Sequence, residues 1–70
     1  MGNDEKDKMM ALLRYWVEHN REHSSEFQEW ADKARAMGEA DIAGKMMRAA
    51  QEMEKAGGLL AEALARLEEG

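Results

Sequence analysis

Cysteine and proline are both absent from these 70 residues. Without cysteine there is no disulfide staple, no thiolate zinc site and no thiol nucleophile. Without proline, nothing in the chain forces a helix to break. Threonine is missing too, and Val17 and Ile42 are the only other β-branched residues, so no stretch offers the material of a sheet. No apolar run approaches the roughly 20 residues that a membrane span requires. Positive charge is in the minority, with 10 Lys and Arg against 15 Asp and Glu for a net charge of −5. There is no basic stripe to displace counterions from a phosphate backbone, which argues against a nucleic-acid partner. The segment Met1-Gly2-Asn3-Asp4-Glu5 has neither the basic nor the apolar region of a signal peptide. Lys6 stands where a myristoylation signal wants Ser or Thr. The expectation is a cytoplasmic protein with no membrane partner.

The abundant residues, Ala, Glu, Lys, Met, Leu and Arg, are strong helix formers, and they set the fold class as all-α. Residues 1–3 read as a frayed start, with Asn3 or Asp4 as N-cap and Asp4, Glu5 and Asp7 opposing the helix dipole. An apolar series then runs Met9, Leu13, Trp16, Asn20, His23, Phe27, Trp30, Ala34, Met37 in alternating steps of 4 and 3, a heptad seam. The seam crosses Ser24-Ser25 without a phase shift, so one continuous helix is expected despite the capping-box look of Ser25 and Gln28. Gly38 follows as a C-terminal cap. A second seam, Ile42, Met46, Ala49, Met53, Ala56, Leu60, Ala63, Leu67, repeats the alternation, and Glu68, Glu69 and Gly70 are expected to fray. The sequence thus predicts a single domain: helix 1 about 4–37, a turn about 38–40 and helix 2 about 41–67, packed as an antiparallel hairpin.

Register places large residues of the first seam against small ones of the second, with Trp16 near Ala63, His23 near Ala56, Asn20 near Leu60 and Trp30 near Ala49. One flank of the seam carries Met10, Val17, Ser24 and Ala31 with Ala43, Ala50, Gly57 and Leu64. It is small or apolar throughout and is read as a self-association face, building a four-helix bundle from two copies. The other flank, Leu12, His19, Glu26 and Lys33 facing Lys45, Glu52, Leu59 and Arg66, is read as the solvent edge.

Candidate chemistry collects on that edge. His19 and His23 lie one helical turn apart, which sets two imidazoles on one side. With Glu26 and Glu52 they form an N/O donor set suited to nickel or zinc. The competing reading has His23 filling the core through Asn20 or Ser24 while His19 is solvated. Zinc-peptidase chemistry is not indicated, because Asn20 rather than glutamate follows His19, and no Glu-x-x-His motif supports a di-iron bundle. Asn20 within a seam reads either as a device fixing register or oligomer state or as a polar group satisfied by water or His23 near the open side, and the seven methionines and two tryptophans read as core filling before any ligand site. No nucleophile–base pair or phosphate loop appears, so the chain is read as a non-enzyme.

The run Leu12-Leu13-Arg14-Tyr15-Trp16-Val17-Glu18-His19-Asn20-Arg21-Glu22-His23, followed by Glu26-Phe27 and Trp30-Ala31, resembles a small prokaryotic helical module of unknown function. Its signature is a tryptophan, Val or Ile, then Glu-His-Asn-x-Glu-His. The module is associated with anaerobes. In some chains it is similar to a segment appended to nickel-binding accessory proteins of carbon monoxide dehydrogenase, whose nickel-binding portion is a separate domain with no counterpart here. The resemblance implies a metal-linked role and a metalloenzyme maturation partner. Two functional expectations result: a self-associating, non-enzymatic interaction or accessory module that forms a homodimer, and a nickel- or zinc-binding accessory protein using His19, His23, Glu26 and Glu52.

Overall fold

The computed structural model describes residues 3–70, without the side chain of Asn3. The expectations for Met1 and Gly2 and for capping by Asn3 lie outside the described residues. Two helices make up the fold, α1 (Asn3–Ala36) and α2 (Ala40–Glu69). The first is continuous through Ser24-Ser25, and among the described residues there is no strand. Asp4 and Glu5 in its first turn and Lys33 and Arg35 in its last complement the helix dipole.

The turn is built by Gly38, whose φ of +82° lies in the left-handed region that a side chain would strain. The Glu39 amide donates to the Ala34 carbonyl at 2.9 Å and the Gly38 amide to the Arg35 carbonyl at 3.0 Å. These are the two reverse bonds of a Schellman motif, and they satisfy carbonyls that the helix end leaves open. Glu39 then precedes α2 without a side-chain cap. At the far end Arg14 holds Glu68 at 2.9 Å, and α2 runs to Glu69, past the expected end near 67.

The helices are antiparallel, but a different helix face makes the contact than the seam predicts. Leu13, Ala31, Ala34, Ala43 and Ala50 are the buried apolar residues, and Ser24 is only 3% exposed. Met10, Val17, Asn20, Phe27, Met46, Met53, Gly57, Leu60, Leu64 and Leu67 are partly buried along the same line. The column Leu13, Asn20, Phe27, Ala34 therefore lies in the interface as expected. Its neighbour there is the small-residue column Met10, Val17, Ser24, Ala31, so the flank expected to serve self-association instead closes the hairpin. Trp16 and Trp30 are displaced outward, 43% and 54% exposed, with Met9, Met37 and Ile42. The physical reason is size. Alanine, serine and glycine let two backbones approach to the usual 8–10 Å, a gap that cannot also hold indole rings from one side.

Ser24 locks this register. Its hydroxyl lies 3.2 Å from the Ala50 carbonyl and 3.3 Å from Glu54 Oε1, and it accepts from Gln28 Nε2 at 3.3 Å. Gln28 Nε2 also donates to Glu54 at 2.8 Å. Arg14–Glu68 and Gln28–Glu54 thus line one edge of the hairpin with polar pairs, leaving the aromatic column on the other.

The resulting body is a rod of 56 × 14 × 11 Å with a radius of gyration of 16.0 Å. A compact chain of this length has a radius near 11 Å. Among the described residues no large side chain is fully buried.

Candidate functional site

Four residues at one-turn spacing form a continuous ladder of rings along α1. Tyr15 stacks on His19 with centroids 5.2 Å apart and planes 16° from parallel. His19 meets His23 edge-on at 4.3 Å, and His23 approaches Phe27 at 6.1 Å. The i,i+4 spacing of a straight helix is what brings these rings together. Tyr15 and Phe27 are members the sequence reading missed, although the four-residue step was there to find them.

The ladder gives the two histidines a defined arrangement. Their Nε2 atoms are 2.9 Å apart, and Glu26 Oε1 lies 3.3 Å from His23 Nδ1. In this contact one Nε2 donates and the other accepts, while the Glu26 carboxylate can accept from His23 Nδ1. The two Nε2 atoms thus stand at hydrogen-bonding distance from one another. His23 is 40% exposed and Glu26 62%, so the group is open to solvent.

Of the four residues proposed as metal ligands, the structure brings together His19, His23 and Glu26. Glu26 sits behind the His23 ring, on Nδ1, instead of beside the converging nitrogens. Glu52 does not join them and pairs with Lys55 on its own helix at 3.6 Å. Among the described residues, no group of three or more His, Asp or Glu side chains is arranged to hold a metal ion. A single hairpin offers two nitrogen donors and an orienting carboxylate.

The histidines interrupt an exposed apolar face. Met9, Trp16, His23, Trp30 and Met37 recur at intervals of seven, which stacks them in one column about 10.5 Å apart. Leu12, Tyr15, Ile42 and Leu59 extend the exposed apolar surface around that column, between 47% and 68% exposed. Lys33 reaches over the Trp30 ring, its Nζ 4.2 Å from the centroid. On the opposite, polar edge a shallow groove is lined by residues that include Arg21, Gln28, Glu54 and Gly58. No helix among the described residues is long and apolar enough to cross a membrane.

The sequence profile of the family described as "Domain of unknown function (DUF8180)" matches residues 9–67. An uncharacterized protein of Archaeoglobus fulgidus is 36% identical over 58 residues, which span 83% of this chain and 92% of that relative. No solved structure matches the chain.

Proposed function

The chain belongs to the DUF8180 family, and we propose that it is a non-enzymatic helical module that works by self-association, two hairpins closing into a four-helix bundle. The observation that carries this reading is the exposed aromatic face. A monomer of 7.9 kDa exposes 5506 Å², whereas a compact protein of that mass exposes about 4400 Å². The surplus is comparable with the roughly 800 Å² that each partner contributes to a standard interface. The hairpin's own core is mainly alanine, and a chain this short needs a further source of burial.

The occupant best suited to the face is a second copy. The column reads Met9, Trp16, His23, Trp30, Met37, the same outward in either direction from His23. A two-fold axis through His23 that runs α1 antiparallel to its mate sets Trp16 against Trp30 and Met9 against Met37 on both sides at once. That is the self-complementarity an isologous interface requires.

Light scattering and tryptophan emission across a dilution series test the reading. The expected result is a dimer whose emission shifts to the red as it dissociates, and a Trp16→Glu variant that is monomeric at concentrations where the parent is dimeric. A parent chain that stays a folded monomer at high micromolar concentration overturns it.

A second reading is that the module binds nickel or zinc and serves a metalloenzyme maturation partner. It draws support from the converging Nε2 atoms of His19 and His23 and the carboxylate of Glu26 on Nδ1. That arrangement has the form of a metal-ligating histidine with its orienting carboxylate.

A further inference from the structure

We propose that the dimer completes a transition-metal site that each hairpin holds only in part: His19 and His23 of one copy with the carboxylate of Glu26 of the partner subunit. The inference rests on the self-association reading and adds to it the ligand that the interface would hold.

The argument begins with the nitrogens. Two imidazole nitrogens bound to one tetrahedral zinc, each about 2.0–2.1 Å from the ion, stand about 3.3 Å apart. The Nε2 atoms of His19 and His23 stand 2.9 Å apart, about 0.4 Å short of that spacing, so a small opening and turn of the two exposed rings brings both onto one ion. Tyr15 stacked on His19 and Glu26 on His23 Nδ1 hold the rings in that pose. Two nitrogens alone make a weak site, and a single chain supplies no third donor.

The symmetry of the aromatic column supplies one. With the axis at His23, position 20 of one α1 comes level with position 26 of the other. Position 20 lies between His19 and His23 along the helix. His19 and Glu26 also occupy one heptad column, so they flank His23 on the same side. A two-fold axis perpendicular to the plane of two antiparallel helices keeps that side in common. The partner's Glu26 is thereby carried to the histidine pair, and each copy does this for the other. Its Oε1 stays on its own His23 Nδ1 while the second oxygen reaches across. Two His-His-Glu sites result, each with a position open to water, a donor set of imidazole and carboxylate that suits zinc or nickel.

Equilibrium dialysis against Zn²⁺, with light scattering on the same samples, provides the test. The parent chain is expected to hold one ion per chain and to dimerise more tightly with the metal than after chelation. Glu26→Gln and His19→Ala, both at exposed positions, should each weaken zinc binding by at least roughly tenfold while the helical circular dichroism is kept. The deciding sample is a mixture of the two variants. A heterodimer contains one complete ligand set, the histidines of the Glu26→Gln copy and the carboxylate of the His19→Ala copy, with only the orienting carboxylate on His23 Nδ1 missing, so zinc binding recovers on mixing above that of either variant alone. A dimer whose variants show no recovery on mixing overturns the metal site and leaves self-association standing. A chain that is monomeric with and without zinc overturns both.

Discussion

Asn20 lies directly over Gly57, so that a Cβ built on the glycine would stand 3.9 Å from the Asn20 Cβ. That is an ordinary van der Waals contact. The two helices come close here, yet the glycine is not required for the approach, and its cost to helix stability is uncompensated. Gly57→Ala is therefore expected to stabilise the fold by about 0.5–1 kcal/mol, through helix propensity alone. Thermal denaturation followed by circular dichroism reads the effect, and a lower melting temperature would show that the helices are nearer at this level than the contact implies.

Gly38 is expected to behave in the opposite way. No neighbour lies within 4 Å of a Cβ built there, so space is no obstacle, but its φ of +82° is. Gly38→Ala should cost about 1–2 kcal/mol from the left-handed conformation alone, while Gly38→Asn should cost less. Comparing the two melting temperatures separates backbone strain from loss of the turn.

Ser24 tests which face joins the helices. It is buried against the Ala50 carbonyl and Glu54. A leucine there overpacks a closely approached interface, and Ser24→Leu is expected to destabilise the hairpin by about 1–3 kcal/mol. Were this column instead an open association face, the added apolar surface would strengthen dimerisation at no cost to folding. Urea denaturation and light scattering on one sample distinguish the two.

Arg14, within α1, and Glu68, in the last turn of α2, pair at 2.9 Å, but both side chains are about half exposed, 55% and 45%. Solvent screening leaves such a pair worth roughly 0–1 kcal/mol. Arg14→Ala should change the midpoint of unfolding little and should instead speed amide exchange in the last turn of α2, where the anchor is lost. A large fall in global stability would show that the pair contributes far more than an exposed ion pair.

Much of this architecture is legible in the residues. The absence of proline and of β-branched residues, the abundance of strong helix formers and the 4-3 spacing determine two helices. Gly38, the glycine that ends the first apolar series, determines where they turn, because only a residue tolerant of positive φ closes a Schellman cap without strain. The one-turn step from His19 to His23 determines that the imidazoles meet, since neighbouring turns of a helix are the closest neighbours a side chain has.

Which face closes the hairpin was decided only in three dimensions. The column Leu13, Asn20, Phe27, Ala34 has an apolar neighbour on either side: Met9, Trp16, His23, Trp30, Met37 on one, and Met10, Val17, Ser24, Ala31 on the other. Pairing it with either gives the same alternation of 3 and 4, so periodicity alone cannot choose. Packing chooses, because two backbones close in on alanine and serine and are held apart by indole rings. The same step moved the tryptophans from the core to the surface. Ring orientation was likewise settled only by the side chains in space: with His19 stacked on Tyr15 and His23 tilted against Phe27, Glu26 stands on Nδ1 of His23 instead of beside Nε2.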